Sequence, residues 1–367
     1  MVGFHLEWIV LVPILVAVLW ILPAKLERRD AALNIAWPRE PIPEHGHIVT
    51  IRHSQEDIER YVINEGRPQD KNSLLVAPQA DVYYEALIHT DEETGETNCK
   101  KSFVILPGTS SQTWIFHDFI DRMHHELGFC TLVFDWRAHG RSEDTPGDLT
   151  SELFMLDAAA IIQKVFPSNQ PVHIFGWSLG GFVGYQLAIY KPEIVKSLFV
   201  YGSTSCWGPI APGSTECLGE TNFLKIFFSQ ETIMRLIGLE NEVELARIFG
   251  RGKEPLTKVV HQFFYTLRMG TKVKTPKVWL KLQGVKTFNQ LDRIRCPFQQ
   301  LAGEHEHLAT GSTLHSMEVE ASKISKAEHP ILLNDPEGKG FSHFALLEEG
   351  GLDLFMEHLK PFYNKHA

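Results

Sequence analysis

Gly176-Trp177-Ser178-Leu179-Gly180 stands between an apolar run at 171–175 (PVHIF) and a helical-period stretch at 181–190 (GFVGYQLAIY). A serine on a sharp strand-to-helix turn is lifted clear of the sheet, and a side chain at either flanking glycine would strike neighbouring backbone. The first turn of the following helix favours negative charge developing nearby. This spacing predicts a nucleophilic hydroxyl at Ser178. A lone hydroxyl is a poor nucleophile at neutral pH, so it needs an imidazole as base and an acid to orient that imidazole. The chain holds 18 histidines and 45 acidic residues, so the partners must be picked by their place in the fold.

From residue 82 onward, short β-branched and aromatic runs alternate with helical stretches. That pattern predicts an α/β domain with a mainly parallel sheet flanked by helices. Strands are expected at 82–88, 102–108, from 131 into the polar loop that ends at 142, at 171–175, 197–202, 297–303 and 331–334. A turn is expected at 91–96, and helices after 108, at 151–165, after Ser178 and at 346–359. Between 206 and 292 the alternation stops and the text turns helical and loopy, which reads as a helical cap. The chain thus divides into an N-terminal segment at 1–30, an extended spacer at 31–80 with a helix near 56–64, core at 81–206, cap at 207–292 and core again at 293–367.

With the glycine-flanked serine in this setting, the chain resembles the α/β-hydrolase superfamily. It is most similar to the cap-bearing lineage of enol-lactonases, meta-cleavage-product hydrolases and monoacylglycerol lipases, from about residue 82 to the C-terminus. The resemblance implies the α/β-hydrolase fold with its cap inserted after the sixth strand, and a chain order of serine, acid, histidine. His343, in Phe341-Ser342-His343-Phe344, takes the place of the family's base, with Ser342 where a glycine is usual; His329 is the second choice. The family's G-x-x-D acid slot reads Gly303-Glu304-His305-Glu306, which makes Glu306 the acid and Glu304 the alternative. Oxyanion donors are expected from the backbone N–H groups of Leu179 and, in Pro107-Gly108-Thr109, of Thr109. Asp135-Trp136-Arg137-Ala138-His139-Gly140-Arg141-Ser142 resembles the family's D-x-R-G-x-G-x-S loop and is architectural; Ala138 replaces a glycine, which bears on the loop's φ.

The bulk numbers are consistent with this and exclude other classes. At 367 residues and 44% hydrophobic, the chain can bury a sizeable core. A formal charge of −10 lacks the basic footprint of a nucleic-acid binder. Cys99, Cys130, Cys206, Cys217 and Cys296 form no CxxC pair and no evident framework, so free thiols in a reducing compartment are expected. His305 and His307 lack a third ligand at metal spacing, and no metal or cofactor is assigned.

Residues 8–23 (WIVLVPILVAVLWILP) carry no charge and are followed by Lys25, Arg28 and Arg29. This predicts one membrane anchor, with the catalytic bulk on the cytoplasmic side by the positive-inside rule; a signal peptide and a hydrophobic helix docked on the protein itself are the alternatives. The stretch holding Lys272, Lys274, Lys277, Lys281 and Lys286 among Val278, Trp279, Leu280 and Leu282 reads as a solvated helix face, or else as a contact with an anionic bilayer. The expected activity is hydrolysis of a small or lipid-like ester, thioester or lactone through an acyl-enzyme. An acyltransferase with the same triad and a non-catalytic binding protein are the alternatives. Protein partners are not legible.

Overall fold

The computed structural model describes residues 42–64, 76–205, 287–304, 306, 314–334 and 341–366, save positions 92, 95–96, 110, 144, 167–169, 342, 344 and 348–349. Five short apolar runs, too brief for stable helices, become the middle of the sheet: β3 Ser102–Leu106, β4 Cys130–Phe134, β5 Val172–Trp177, β6 Val195–Tyr201 and β7 Phe298–Gly303. β3, β4, β5 and β7 are buried along their whole length, as strands covered by helices on both faces must be. β1 Gly46–Arg52, β2 Gln79–Leu87 and β8 Ile331–Leu333 complete a sheet of order β1-β2-β4-β3-β5-β6-β7-β8. β2 runs antiparallel to both its neighbours, and all other pairs are parallel.

Side chains alternate between two cores. Val104, Leu106, Leu132, Ile174 and Leu198 face α2 Ser151–Val165 and α3 Leu179–Tyr190. Phe103, Ile105, Val133, Phe175 and Phe199 face α1 His117–Leu127 and α5 Gly351–His366. α4 Leu314–Ser322 lies between β7 and β8 in sequence. The helix expected at 151–165 has those bounds, and Thr150 Oγ caps it by accepting from Leu153 N–H at 3.2 Å.

Four expectations need revising. The sheet begins at Gly46, inside the segment read as a spacer, where β1 pairs with β2 from Gly46↔Glu85 to Arg52↔Gln79. β1 is an edge strand with Ile48 58% exposed, so its apolar residues show no clean period. The final helix starts at Gly351 and passes through Pro361 to His366, whereas residues 345–347 form a separate 3-10 turn. A 3-10 segment, Thr287–Arg293, overlaps the end of the expected cap, yet Phe288 and Leu291 are buried in the core. Residues 206–286, which carry the rest of that cap and its lysine-rich tail, lie outside the described residues.

The fourth revision concerns the cysteines. Cys99 and Cys130 form a disulfide with Cα atoms 5.5 Å apart, so the expectation of free thiols fails for this pair. They stand 31 positions apart in the sequence, and no spacing motif announces the pairing. Cys296 is free, and burial pushes its thiol up to about 12. Among the described residues no helix is long and apolar enough to cross a membrane, and residues 8–23 lie outside them.

Candidate active site

β5 delivers Ser178 to the C-terminal edge of the sheet, and α3 begins at the next residue. Ser178 has φ 55° and ψ −119°, one of two described non-glycine residues at positive φ. Such a conformation costs about 1–3 kcal/mol and persists only where the surroundings enforce it. Here the enforcement is visible. A Cβ at Gly176 would sit 2.6 Å from Gly180 O, and one at Gly180 would collide with Leu106 O. Both glycines are therefore required by backbone contact. Ser178 N–H donates to Tyr201 O at 3.0 Å, which fixes the turn against β6.

The two partners converge beside this turn. His343 Nδ1 lies 2.8 Å from Glu306 Oε2, and both side chains are buried. The contact settles which acid reaches the imidazole: Glu304 is exposed, and its backbone N–H donates to Leu333 O at 3.2 Å. His329 offers only its carbonyl, which accepts from Gln299 Nε2 at 3.3 Å. The Trp177 indole donates to His343 O at 2.9 Å, tying the histidine to the residue that precedes the nucleophile. Among the described residues, the site's hydrogen bonds include none from the Ser178 hydroxyl; nucleophile–base contacts are often loose before substrate binds.

Gly202, at the end of β6, was not singled out from the sequence. Its φ is +54°, and a Cβ there would lie 2.8 Å from Glu306 Oε2 and 2.9 Å from His343 Nδ1. The imidazole and carboxylate therefore close over bare backbone. Only the short run Tyr201-Gly202 after an apolar strand hints at this in the sequence.

The two residues expected to supply main-chain donors lie next to the nucleophile. Leu179 is the first residue of α3, so its N–H has no carbonyl behind it in the helix. Gly108 packs so closely that an added Cβ would lie 3.2 Å from Ser178 Cβ, which puts the Gly108-Thr109 turn against the nucleophile. The Trp136 indole donates to Pro107 O at 2.9 Å and so buttresses that turn from the Asp135–Ser142 loop.

The loop is architectural in detail. Asp135 accepts from Thr113 N–H and Arg141 N–H, each at 2.8 Å. Burial pushes its carboxyl up to about 7, against the pull of those two donors. Ala138 has a left-handed φ of 60°, a conformation that a glycine adopts without steric cost. Arg137 is paired with Asp157 inside the protein, its Nε 2.6 Å from Oδ2.

Glu320 of α4 is another buried carboxylate that the sequence did not reveal. It accepts from Tyr185 OH and Thr204 OH at 2.8 Å each, from Ser205 N–H at 2.8 Å and from Ser205 OH at 2.6 Å. It thereby anchors the segment that follows β6. A single glutamate on a short helix carries no signal in the sequence. His305 and His307 lie outside the described residues.

Residues 103–307, more than half of the chain, match the model of the alpha/beta hydrolase family. The chain belongs to the α/β-hydrolase family. In sequence it is 30% identical over 113 residues to a pimeloyl-[acyl-carrier protein] methyl ester esterase of Yersinia pestis, a match covering 31% of this chain and 40% of that protein. In structure it is similar to the enol-lactonase from Burkholderia xenovorans LB400, with TM-score 0.56 and 16% identity over 78% of this chain and 97% of that one. An esterase from Exiguobacterium antarcticum gives 0.58 and 16% over 79% and 97%. A membrane phospholipase A described as a bacterial virulence factor gives 0.59 and 14% over 100% and 99%. Identities this low speak to the fold alone.

Proposed function

We propose that this protein hydrolyses carboxylic esters, thioesters or lactones through an acyl-enzyme on Ser178. The supporting observation is the 2.8 Å contact of His343 Nδ1 with Glu306 Oε2, held beside a serine on a strained turn. In the proposed sequence, Ser178 Oγ attacks the carbonyl carbon while His343 Nε2 takes its proton. The carbonyl oxygen becomes an oxyanion facing the N–H groups of Leu179 and Thr109, each worth about 3 kcal/mol in the transition state. Glu306 accepts Nδ1–H and stabilises the imidazolium; it does not itself take up the proton. His343 then protonates the leaving oxygen or sulfur, and the alcohol or thiol departs. Water attacks the acyl-serine, giving its proton to His343, which returns it to Ser178 Oγ as the acid leaves. No cofactor enters this balance.

The methyl ester esterase of Yersinia pestis, 30% identical over its 113 matched residues, supports the choice of bond. The apolar segment 8–23 supports a membrane location, and the 23 phenylalanines of the chain support a small or lipid-like acyl group.

A fluorophosphonate should transfer its phosphonyl group to Ser178 Oγ with loss of fluoride, seen as a modified peptide by mass spectrometry. The Ser178→Ala chain should take no label. Label on another residue, or none on the native protein, removes the proposal. A panel of esters and lactones of graded acyl length then defines the substrate. Gly202→Ala offers a geometric test: displacing the acid and base by a fraction of an ångström to one ångström should lower kcat about 10²-fold while KM changes little.

A further inference from the structure

A second group of chemistry-bearing side chains lies well away from the elbow. β2 is separated from β5 by β4 and β3, roughly 14 Å across the sheet at ~4.8 Å per strand. His45 precedes β1, Glu85 belongs to β2, and His117 opens α1. Register sets Gly46 opposite Glu85, which carries the neighbouring His45 to the carboxylate. His45 Nε2 is 3.3 Å and His117 Nε2 is 2.7 Å from one and the same oxygen, Glu85 Oε2. One donor atom from each of the three residues falls within 4.8 Å of the others.

The other carboxylate oxygen is fully engaged. Glu85 Oε1 accepts from Tyr83 OH at 2.8 Å and from Thr113 OH at 2.7 Å. Arg141 Nη1 donates to Tyr83 OH at 2.9 Å, so the phenol oxygen is an acceptor there and its own proton points to Glu85. The carboxylate is therefore buried and fixed in orientation, with Oε2 turned toward two imidazoles that are each 33% exposed.

We propose that His45, Glu85 and His117 form a binding site for one divalent transition-metal ion of the zinc class, with a fourth position open to water. Two neutral imidazoles and a carboxylate are a donor set that zinc takes, whereas magnesium and calcium favour all-oxygen shells. Donors around a tetrahedral zinc lie about 3.3 Å apart for bonds near 2.05 Å. The His45 contact has that spacing, and the His117 contact opens by roughly half an ångström as the ion replaces the proton between the two atoms. Tyr83 and Thr113 are the outer partners that orient a ligating carboxylate. The ion ties the chain entering β1 to β2 and to the start of α1. Thr113 also holds Asp135 through its amide, so the site braces the turn that follows Gly108-Thr109.

The full-length protein, titrated with Zn²⁺ against a chromophoric chelator, should bind an ion that His45→Ala and His117→Ala each release. Losing a ligand should weaken binding by at least about 100-fold, since losing only an outer partner weakens it 10- to 100-fold. The native melting temperature should rise with Zn²⁺, and neither variant's should. Glu85→Gln, which keeps the shape of the carboxyl, is the second check and should also weaken binding. An absence of Zn²⁺ binding by the native chain overturns the proposal. So does equal binding by the native chain and both histidine variants.

Discussion

Replacing Ser178 by alanine is expected to lower kcat by about 10⁴- to 10⁶-fold on any ester the protein turns over. Removal of the oxygen deletes the bond that the acyl-enzyme requires, and no neighbouring hydroxyl occupies the elbow. Residual turnover would reflect the oxyanion donors and substrate binding alone, which still exceed the uncatalysed reaction. Stability should hardly change. Alanine inherits the strained φ of 55° without losing a side-chain hydrogen bond among the described residues, so a shift within about 0.5 kcal/mol is expected. The double variant Ser178→Ala/His343→Ala should be no slower than the single one, because the two residues act as a unit. Steady-state kinetics on purified protein, with melting curves alongside, read out both effects. A single variant that keeps a tenth of the native rate would exclude Ser178 as the nucleophile.

The second large effect falls on the fold. Arg137 is 0% exposed, and its guanidinium meets both oxygens of Asp157, while His53 Nε2 lies 2.7 Å from Asp157 Oδ1. Arg137 Nη1 also donates to Ala77 O at 2.8 Å. Asp157→Asn keeps the size but strands a buried cation, a change that costs about 3–5 kcal/mol. At 2–4 °C per kcal/mol for chains of this order, the melting temperature should drop by roughly 6–20 °C. Adding Arg137→Met should restore part of the loss, since an apolar pair needs no counter-charge.

The loss should also depend on pH. Burial pushes the Asp157 carboxyl up, but Arg137 and His53 outweigh burial and hold it below the usual carboxylate range. A group depressed on folding stabilises above its unfolded value, about 3.9, and that contribution disappears as pH falls through the folded value. The penalty of Asp157→Asn should therefore be full at neutral pH and shrink in acid below about pH 4. A penalty that stays constant down to pH 2 would point to packing, not charge, as its origin.

The central strands and the elbow were legible because their signals are local: a buried run, two glycines and a helix in sequence. Glu306 was legible through its place after β7, and the structure distinguishes it from Glu304 two residues earlier. That distinction rests on which side chain faces inward after the strand, which spacing encodes. β1 escaped because an edge strand buries one side weakly. The disulfide, Gly202 and the His45–Glu85–His117 cluster escaped for a different reason. Each depends on which distant segments the sheet order places side by side, and no short window of sequence contains that information.

The covalent link between Cys99 and Cys130 carries one further consequence. It joins the chain just ahead of β3 to the first residue of β4, at the end of the sheet opposite the nucleophile. Closing a loop of this length restrains the unfolded chain by about 3–4 kcal/mol in the entropic account. The molecule is thus laced shut at its base and reactive at its rim. A reducing milieu would loosen the lacing without touching the groups at the rim, making the lifetime of the protein, not its intrinsic turnover, the property that depends on its surroundings.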